Sequence, residues 1–274
     1  MPQPVLNEIY VYPVKSLAGI KVSNWVVNKK GLLHDRKWML IDSNNQFLSQ
    51  RRLPKMVLIK TQLTEDQLIL STESSGSITL PLYPDDGTTI DTTIWHDQCA
   101  ANTTSPEVDQ WLSDFLDIDC KLVYQADDVI RPVDPHYAST TDQVSFSDGF
   151  PFLIISDASL DSLNQAMNLQ LPIERFRPNL VISQCKSYAE DSWREISINN
   201  ISFRLPKPCS RCSVPTIDTK TAQTNKEPLT TLNRLRKWNN QVYFGQNALH
   251  DNTGRLSIGN AVEITRTGSN QPPL

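Results

Sequence analysis

The sequence predicts a mainly β protein with a few helices, an α+β chain whose strands build a barrel or sandwich. Three observations carry this expectation. Short runs of alternating apolar and polar residues recur through the first 100 positions, separated by Asn, Asp, Ser and Gly. Clear helical stripes are few. Hydrophobic residues make up 39% of the 274 residues and charged ones 20%, enough apolar material for a core and too little charge for a disordered chain.

Taken in order, "NEIYVYPV", "RKWMLID", "MVLIKTQL", "QLILST" and "SITLPLY" read as strands. A helix follows, capped by Thr104 or Ser105 with Pro106 in its opening turn. Val108, Trp111, Leu112, Phe115 and Leu116 form its apolar stripe. "CKLVY" is a strand, and the polar, proline-bearing residues 125–150 read as a boundary or a long functional loop. "PFLIIS" leads into a helix capped near Ser156, with Leu160, Leu163 and Met167 on one face. "PNLVIS" is a buried strand. "EISINNISFRL" is a hairpin turning at Asn199-Asn200, and "GRLSIGNAVEITR" is read as a second, turning at Gly259-Asn260. "TGSNQPPL" looks like a frayed tail.

The net charge of −4 gives no reason to expect nucleic acid or an acidic membrane surface as partner. The first residues lack the pattern of a secretory signal, and no apolar run approaches the ~20 residues of a membrane span. Five cysteines in no dense framework suit free thiols in a reducing compartment, and a cytoplasmic monomer is expected.

"KPCSRCSVPTID", residues 207–218, holds Cys209 and Cys212 with Arg211 between them and Lys207 before. A structural zinc site needs four ligands, and neither Cys185 nor the four histidines show a matching spacing. A thioredoxin-like C-x-x-C would open a helix, whereas Pro208 and "SVPTID" read as extended chain. Two buried structural cysteines remain a plain alternative. Arg211 and Lys207 favour a thiolate, which is a soft metal ligand.

The stretch "RFRPNLVIS…YAEDSW…KPCSRCSVPTID…KEPLTTL…FGQN" resembles the MOSC domain of molybdenum-cofactor proteins. Within that group it is similar to the mitochondrial amidoxime reducing component and its bacterial YcbX-like relatives. "YPVKSLAGI" and "GLLHDRKWMLID" resemble the MOSC N-terminal β-barrel domain. The resemblance implies a barrel-like first domain over residues 1–124, packed on a MOSC β-barrel over 125–267, with 268–274 as a flexible tail.

It also implies a site. Cys212 would be the single protein ligand of molybdenum and Cys209 a neighbour. Lys15, Ser16, Arg36 and Arg177 would contact the phosphate or pterin of an anionic molybdopterin. Asp148, Gly149 and Asn179 are further cofactor contacts. Ser210 and Arg211 would offer backbone N–H groups. Asp218 would orient the loop or assist proton transfer. Arg175 is expected to be a solvated neighbour, and His34 and His250 structural. The implied reaction is two-electron reduction of N-hydroxylated compounds such as amidoximes and hydroxylamines, in a detoxifying role; a family association with pyridoxal phosphate comes with it. No C-x₄-C-x₂-C spacing occurs, so no iron–sulfur cluster is expected in this chain. Electrons would come from a separate ferredoxin, flavodoxin or cytochrome with its reductase. The alternative is a cofactor-binding or sulfur-carrier module of the sulfurase type.

Overall fold

A computed structural model describes residues 3–84 and 87–273. Strands take up 41% and helices 17%, so the β-rich expectation holds.

The largest sheet has nine strands. Its order is Val262–Thr267, Trp193–Ile198, Ile201–Ser210, Gln241–His250, Phe152–Ser156, Leu180–Ser183, Val5–Val11 and Ile20–Val22, with Lys237–Trp238 also paired to Gln241–His250. Phe152–Ser156 and Leu180–Ser183 run parallel. The helix Asp157–Met167 lies in their connection, as a parallel pair requires. Ser156 caps it, accepting the Ser159 N–H at 3.2 Å. Gly245, at φ +79°, lets its strand cross Phe152–Ser156 closely, because a Cβ there would meet Ile155 Cγ1 at 2.6 Å.

A four-stranded sheet orders Trp38–Ile41, Lys121–Tyr124, Asp97–Thr103 and Thr89–Ile94. The helix Pro106–Leu116 joins Asp97–Thr103 to Lys121–Tyr124, with Ser105 as its cap. It packs Val108, Leu112, Phe115 and Leu116 into the first half's core, beside Trp38 and Leu40. A separate apolar cluster, with Ile154, Leu180 and Phe203, fills the large sheet's side.

Four expectations change. In "MVLIKTQL", Pro54–Leu58 is a 3₁₀ turn opened by Pro54, and the strand begins only at Lys60. Val5–Val11, assigned by sequence to the first 124 residues, runs in the large sheet, paired to Leu180–Ser183. The turn at Gly259-Asn260 closes no hairpin: Gly254–Ser257 pairs with Asn24–Asn28, and Val262–Thr267 with Trp193–Ile198. The segment after Thr267, expected to fray, is tied down as far as Pro272. Gly268 N–H donates to Ser192 O at 2.8 Å, Gln271 N–H to Asp191 O at 2.9 Å, and Pro272 is buried.

The crossing between the two halves positions the site. After Val11 the chain leaves the large sheet, and Lys15 N–H donates to Trp38 O at 2.8 Å in the four-stranded sheet. Arg36 N–H returns to Tyr12 O at 2.7 Å, and Phe146 N–H to Arg36 O at 2.9 Å. "YPVKS", "HDRKW" and the end of the 125–150 loop therefore meet at one seam.

Candidate functional site

Along that seam runs a cleft whose empty space, part of it open to solvent, is about 890 Å³. Lys15, Arg36, Arg51, Arg177 and Arg211 line it, against the single carboxylate of Asp148. In a chain of net charge −4 this is a concentrated positive site, suited to an anion.

Four of the five cations, all but Arg51, are held by backbone carbonyls. Lys15 is buried; its ammonium donates to Phe146 O at 2.8 Å and pairs with Asp148. Burial lowers its pKa, partly offset by Asp148. Burial would raise the Asp148 carboxyl, but Lys15, Arg51 and the Trp95 indole N–H together hold it well below the usual range. The Asp148 side chain is nonetheless 64% exposed, on the cleft wall. Arg131, itself buried, fixes this wall by donating to Ser145 O at 2.9 Å and Ser147 O at 2.6 Å.

Arg36 pairs with buried Asp35 and donates to Asn179 Oδ1 at 3.0 Å. Arg177 donates to Leu17 O at 2.7 Å. Both guanidinium carbons lie over the Tyr12 ring, at 4.3 and 4.2 Å from its centroid. Burial first, and then neighbouring Arg36, bring the Arg177 pKa down to about 10. Two guanidiniums on one ring are mutually repulsive, and an anion between them would relieve that. Ser16, Arg36 and Arg177 have φ of 68°, 48° and 56°, a left-handed conformation that costs non-glycine residues roughly 1–3 kcal/mol each and gathers at ligand sites.

The cysteine loop forms another wall. The strand Ile201–Ser210 delivers it, and Pro215 stands in the 3₁₀ turn Val214–Thr216 beyond. Cys209 and Cys212 are both half-buried and line the cleft. Arg211 donates to Phe176 O at 2.8 Å and lies 3.1 Å from Cys209 Sγ. Its backbone N–H, expected to face a ligand, is instead spent on Val242 O at 2.8 Å. The Arg211 contribution to the cleft is its guanidinium. Arg211 Nε and Ser147 Oγ are buried without partners, and both residues line the cleft.

Ten of the eleven residues singled out by sequence meet in this cleft: Lys15, Ser16, Arg36, Asp148, Gly149, Arg177, Asn179, Ser210, Arg211 and Cys212. Asn179 is a support. Its Oδ1 accepts from Arg36 and from Leu153 N–H at 3.2 Å, and its Nδ2 donates to Tyr10 O at 3.3 Å. Asp218 is not part of the wall. Its Oδ1 accepts the N–H groups of Lys220 at 2.9 Å and Thr221 at 3.0 Å, and its Oδ2 pairs with Arg175 at 2.5 Å. These backbone bonds lead in lowering its pKa, leaving a loop anchor with no free position at the cleft. Arg175, expected in solvent, is 6% exposed and forms the other half of that anchor. His34 and His250 are packed away: His34 against Trp38 and Tyr83, His250 with its Nε2 2.6 Å from Asn28 O.

Sequence reading missed Arg51 and Trp95. Arg51 stacks 4.4 Å over Trp95, whose indole N–H reaches Asp148 at 3.2 Å. Trp95 sits in the turn of the hairpin Thr89–Thr103 at φ 58°. An aromatic residue at a tight turn was the available signal. Among the described residues no cluster of three or more His, Cys, Asp or Glu could hold a metal, and no helix is long and apolar enough to cross a membrane.

Residues 3–119 match the MOSC N-terminal beta barrel domain and residues 141–263 the MOSC domain. The chain is 32% identical to mitochondrial amidoxime-reducing component 1 of Mus musculus over 94% of its length and 81% of that protein. The Homo sapiens protein of that name is also 32% identical, with 82% covered. The chain is 33% identical to a molybdenum cofactor sulfurase of Danio rerio over 94% of its length, but spans only 34% of that protein.

Proposed function

The chain belongs to the MOSC family, and we propose that it is a molybdenum-cofactor-dependent reductase of N-hydroxylated compounds. The observation that carries this reading is the convergence of five cations and one carboxylate around the Cys209–Cys212 loop. The span of the chain adds to it, covering about four-fifths of the amidoxime-reducing components and about a third of the sulfurase.

The residues fit the group. An anionic pterin phosphate needs cations held in place, and Lys15, Arg36 and Arg177 are fixed by backbone carbonyls and by Asn179. Unpartnered Ser147 Oγ and Arg211 Nε offer further polar contact. Cys212 would hold the metal as thiolate. When bound, the group supplies the two-electron chemistry that converts N–OH to N–H and water, with two protons consumed. This chain's residues neutralise the cofactor's charge, orient it across the seam and hold the cysteine loop rigid through the Asp218–Arg175 anchor.

Electrons come from a separate redox protein in this reading. The chain is expected to reduce benzamidoxime only when ferredoxin, flavodoxin or cytochrome with its reductase is added, and at a rate that falls with ionic strength. A steady-state assay with NADH, with and without each donor, checks this. Sustained reduction by chain and NADH alone would overturn it. The identity with the sulfurase favours a second reading, a cofactor-carrying module, which stable molybdenum content with no turnover under any donor would support.

A further inference from the structure

Behind Arg177 lies a second cavity of about 700 Å³, partly open to solvent. Gln50, Arg177 and Val214 belong to its wall and to that of the cationic cleft, so the two spaces adjoin. Val214 is two positions from Cys212, which brings the cavity beside the cysteine loop.

Its chemistry is lopsided. Val57, Val214, Ile217 and Pro172 give it apolar walls. Its polar groups are mostly donors: Tyr12, Arg175, Arg177 and, exposed near the opening, Lys220. Tyr12 Oη and Arg175 Nε are buried with no partner, though both residues are at least nine-tenths buried. Burial holds the Tyr12 phenol protonated, so it remains a donor. The one carboxylate in the lining, Glu174, is exposed and lies 3.4 Å from Tyr10 Oη. Asp218 already occupies Arg175 Nη2 and Arg177 is shared with the cationic cleft, so Lys220 supplies the uncommitted charge. A buried hydroxyl left unpaired costs folding energy and is retained where a ligand pairs it.

We propose that this side cavity is a binding site for a small carboxylate with an apolar body, and that it seats the acidic tail of a substrate whose N-hydroxy group enters the cleft. The second clause rests on the reductase reading; the first does not. The acceptor-rich end of the ligand meets Tyr12, Arg175 and Lys220, and its aryl or alkyl part lies on Val57, Val214 and Ile217. Gly19 packs directly on the Tyr12 ring, where a Cβ would lie 2.4 Å from Tyr12 Cε1, and so fixes the ring's place in the cavity wall.

The test uses the cofactor-loaded protein with benzoate as probe, read by calorimetry, and compares 4-carboxybenzamidoxime with benzamidoxime as substrates. Benzoate binding should weaken about tenfold in Tyr12→Phe and in Lys220→Ala, the scale of one charge-assisted hydrogen bond. Tyr12→Phe should melt at or above the wild-type temperature without benzoate, because it removes an unpaired buried hydroxyl. Lys220→Ala, at an exposed position, provides a second variant whose folding is not in question. The preference in kcat/KM for the carboxylated substrate should fall in both. Benzoate binding that depends on Tyr12 and Lys220, with no turnover of either substrate, would keep the site and sink the reductase reading. No benzoate binding, or equal binding by all three proteins, would overturn the site itself.

Discussion

Two regions of the molecule bury charge, and they do so in opposite ways. Behind the large sheet, Glu190 and Asp191 are 1% and 2% exposed. Glu190 accepts from Ser156 N–H and Oγ at 3.1 and 2.9 Å. Asp191 pairs with Arg236 at 2.6 Å and accepts from Gln246 at 2.9 Å. Arg236 is further packed on Tyr188. There Asp191 has its cation and Glu190 its hydrogen-bond donors within the chain. In the seam, Lys15 pairs with Asp148 and Arg36 with Asp35, but among the described residues Arg177 and Arg211 have carbonyl partners and no carboxylate, four lining residues hold left-handed backbone, and buried polar atoms lack partners. Matched buried charge marks a structural anchor; unmatched buried charge, held in place at a cost, marks a place prepared for something outside the chain.

The largest effect that sharpens this contrast is on turnover. Cys212→Ser is expected to abolish benzamidoxime reduction while the circular dichroism and melting curve stay those of the wild type. Cys209→Ser should keep most activity. Equal loss in both would point to a paired-thiol site. Next in size is the anchor. Asp191→Ala leaves Arg236 buried and unpaired, and should lower stability by about 3–5 kcal/mol in urea unfolding. A change below about 1 kcal/mol would dissolve the distinction between the two regions.

The smallest effect is in acid, where the regions should respond with opposite sign. Asp148 has its folded-state pKa held low by Lys15 and its neighbours against burial, so its contribution is present at neutral pH. That contribution is lost as pH falls below the carboxylate's ordinary value of about 4. The exposure of Asp148 keeps the effect modest. Burial raises Glu190 and Asp191 instead, so the folded state takes up their protons first and they lend stability as pH falls. Urea unfolding at pH 7 and pH 3 checks both: Asp148→Asn should be less acid-sensitive than the wild type, and Glu190→Gln more so.

The local grammar of this fold was legible in the sequence. The Ser105 and Ser156 caps, both helical stripes and the Asn199-Asn200 turn depend on neighbours within a few residues. Pairing between distant strands was not. Val5–Val11 alternates equally well in either sheet, and the Gly259-Asn260 turn says nothing about which strands its flanks will find. At the site, the resemblance named ten residues that converge. The Asp218–Arg175 pair was missed because an arginine beside an aromatic reads the same whether it faces solvent or a carboxylate 43 positions on. Arg51 and Trp95 were missed for a related reason: their stacking is created by a hairpin turn reaching across the cleft mouth.

In the proposed reading the cations of the seam hold a molybdenum-bearing, phosphorylated pterin. The most direct test is the molybdenum-to-protein ratio of purified wild type and Arg177→Ala, by elemental analysis, with pterin fluorescence after oxidation as a check. Near-stoichiometric metal and pterin in the wild type is expected. A clear drop in Arg177→Ala should follow, because one charge-assisted contact to a buried anion is worth about 1.5–3 kcal/mol. Equal molybdenum in both proteins, or none in the wild type expressed where the cofactor is made, would contradict the account.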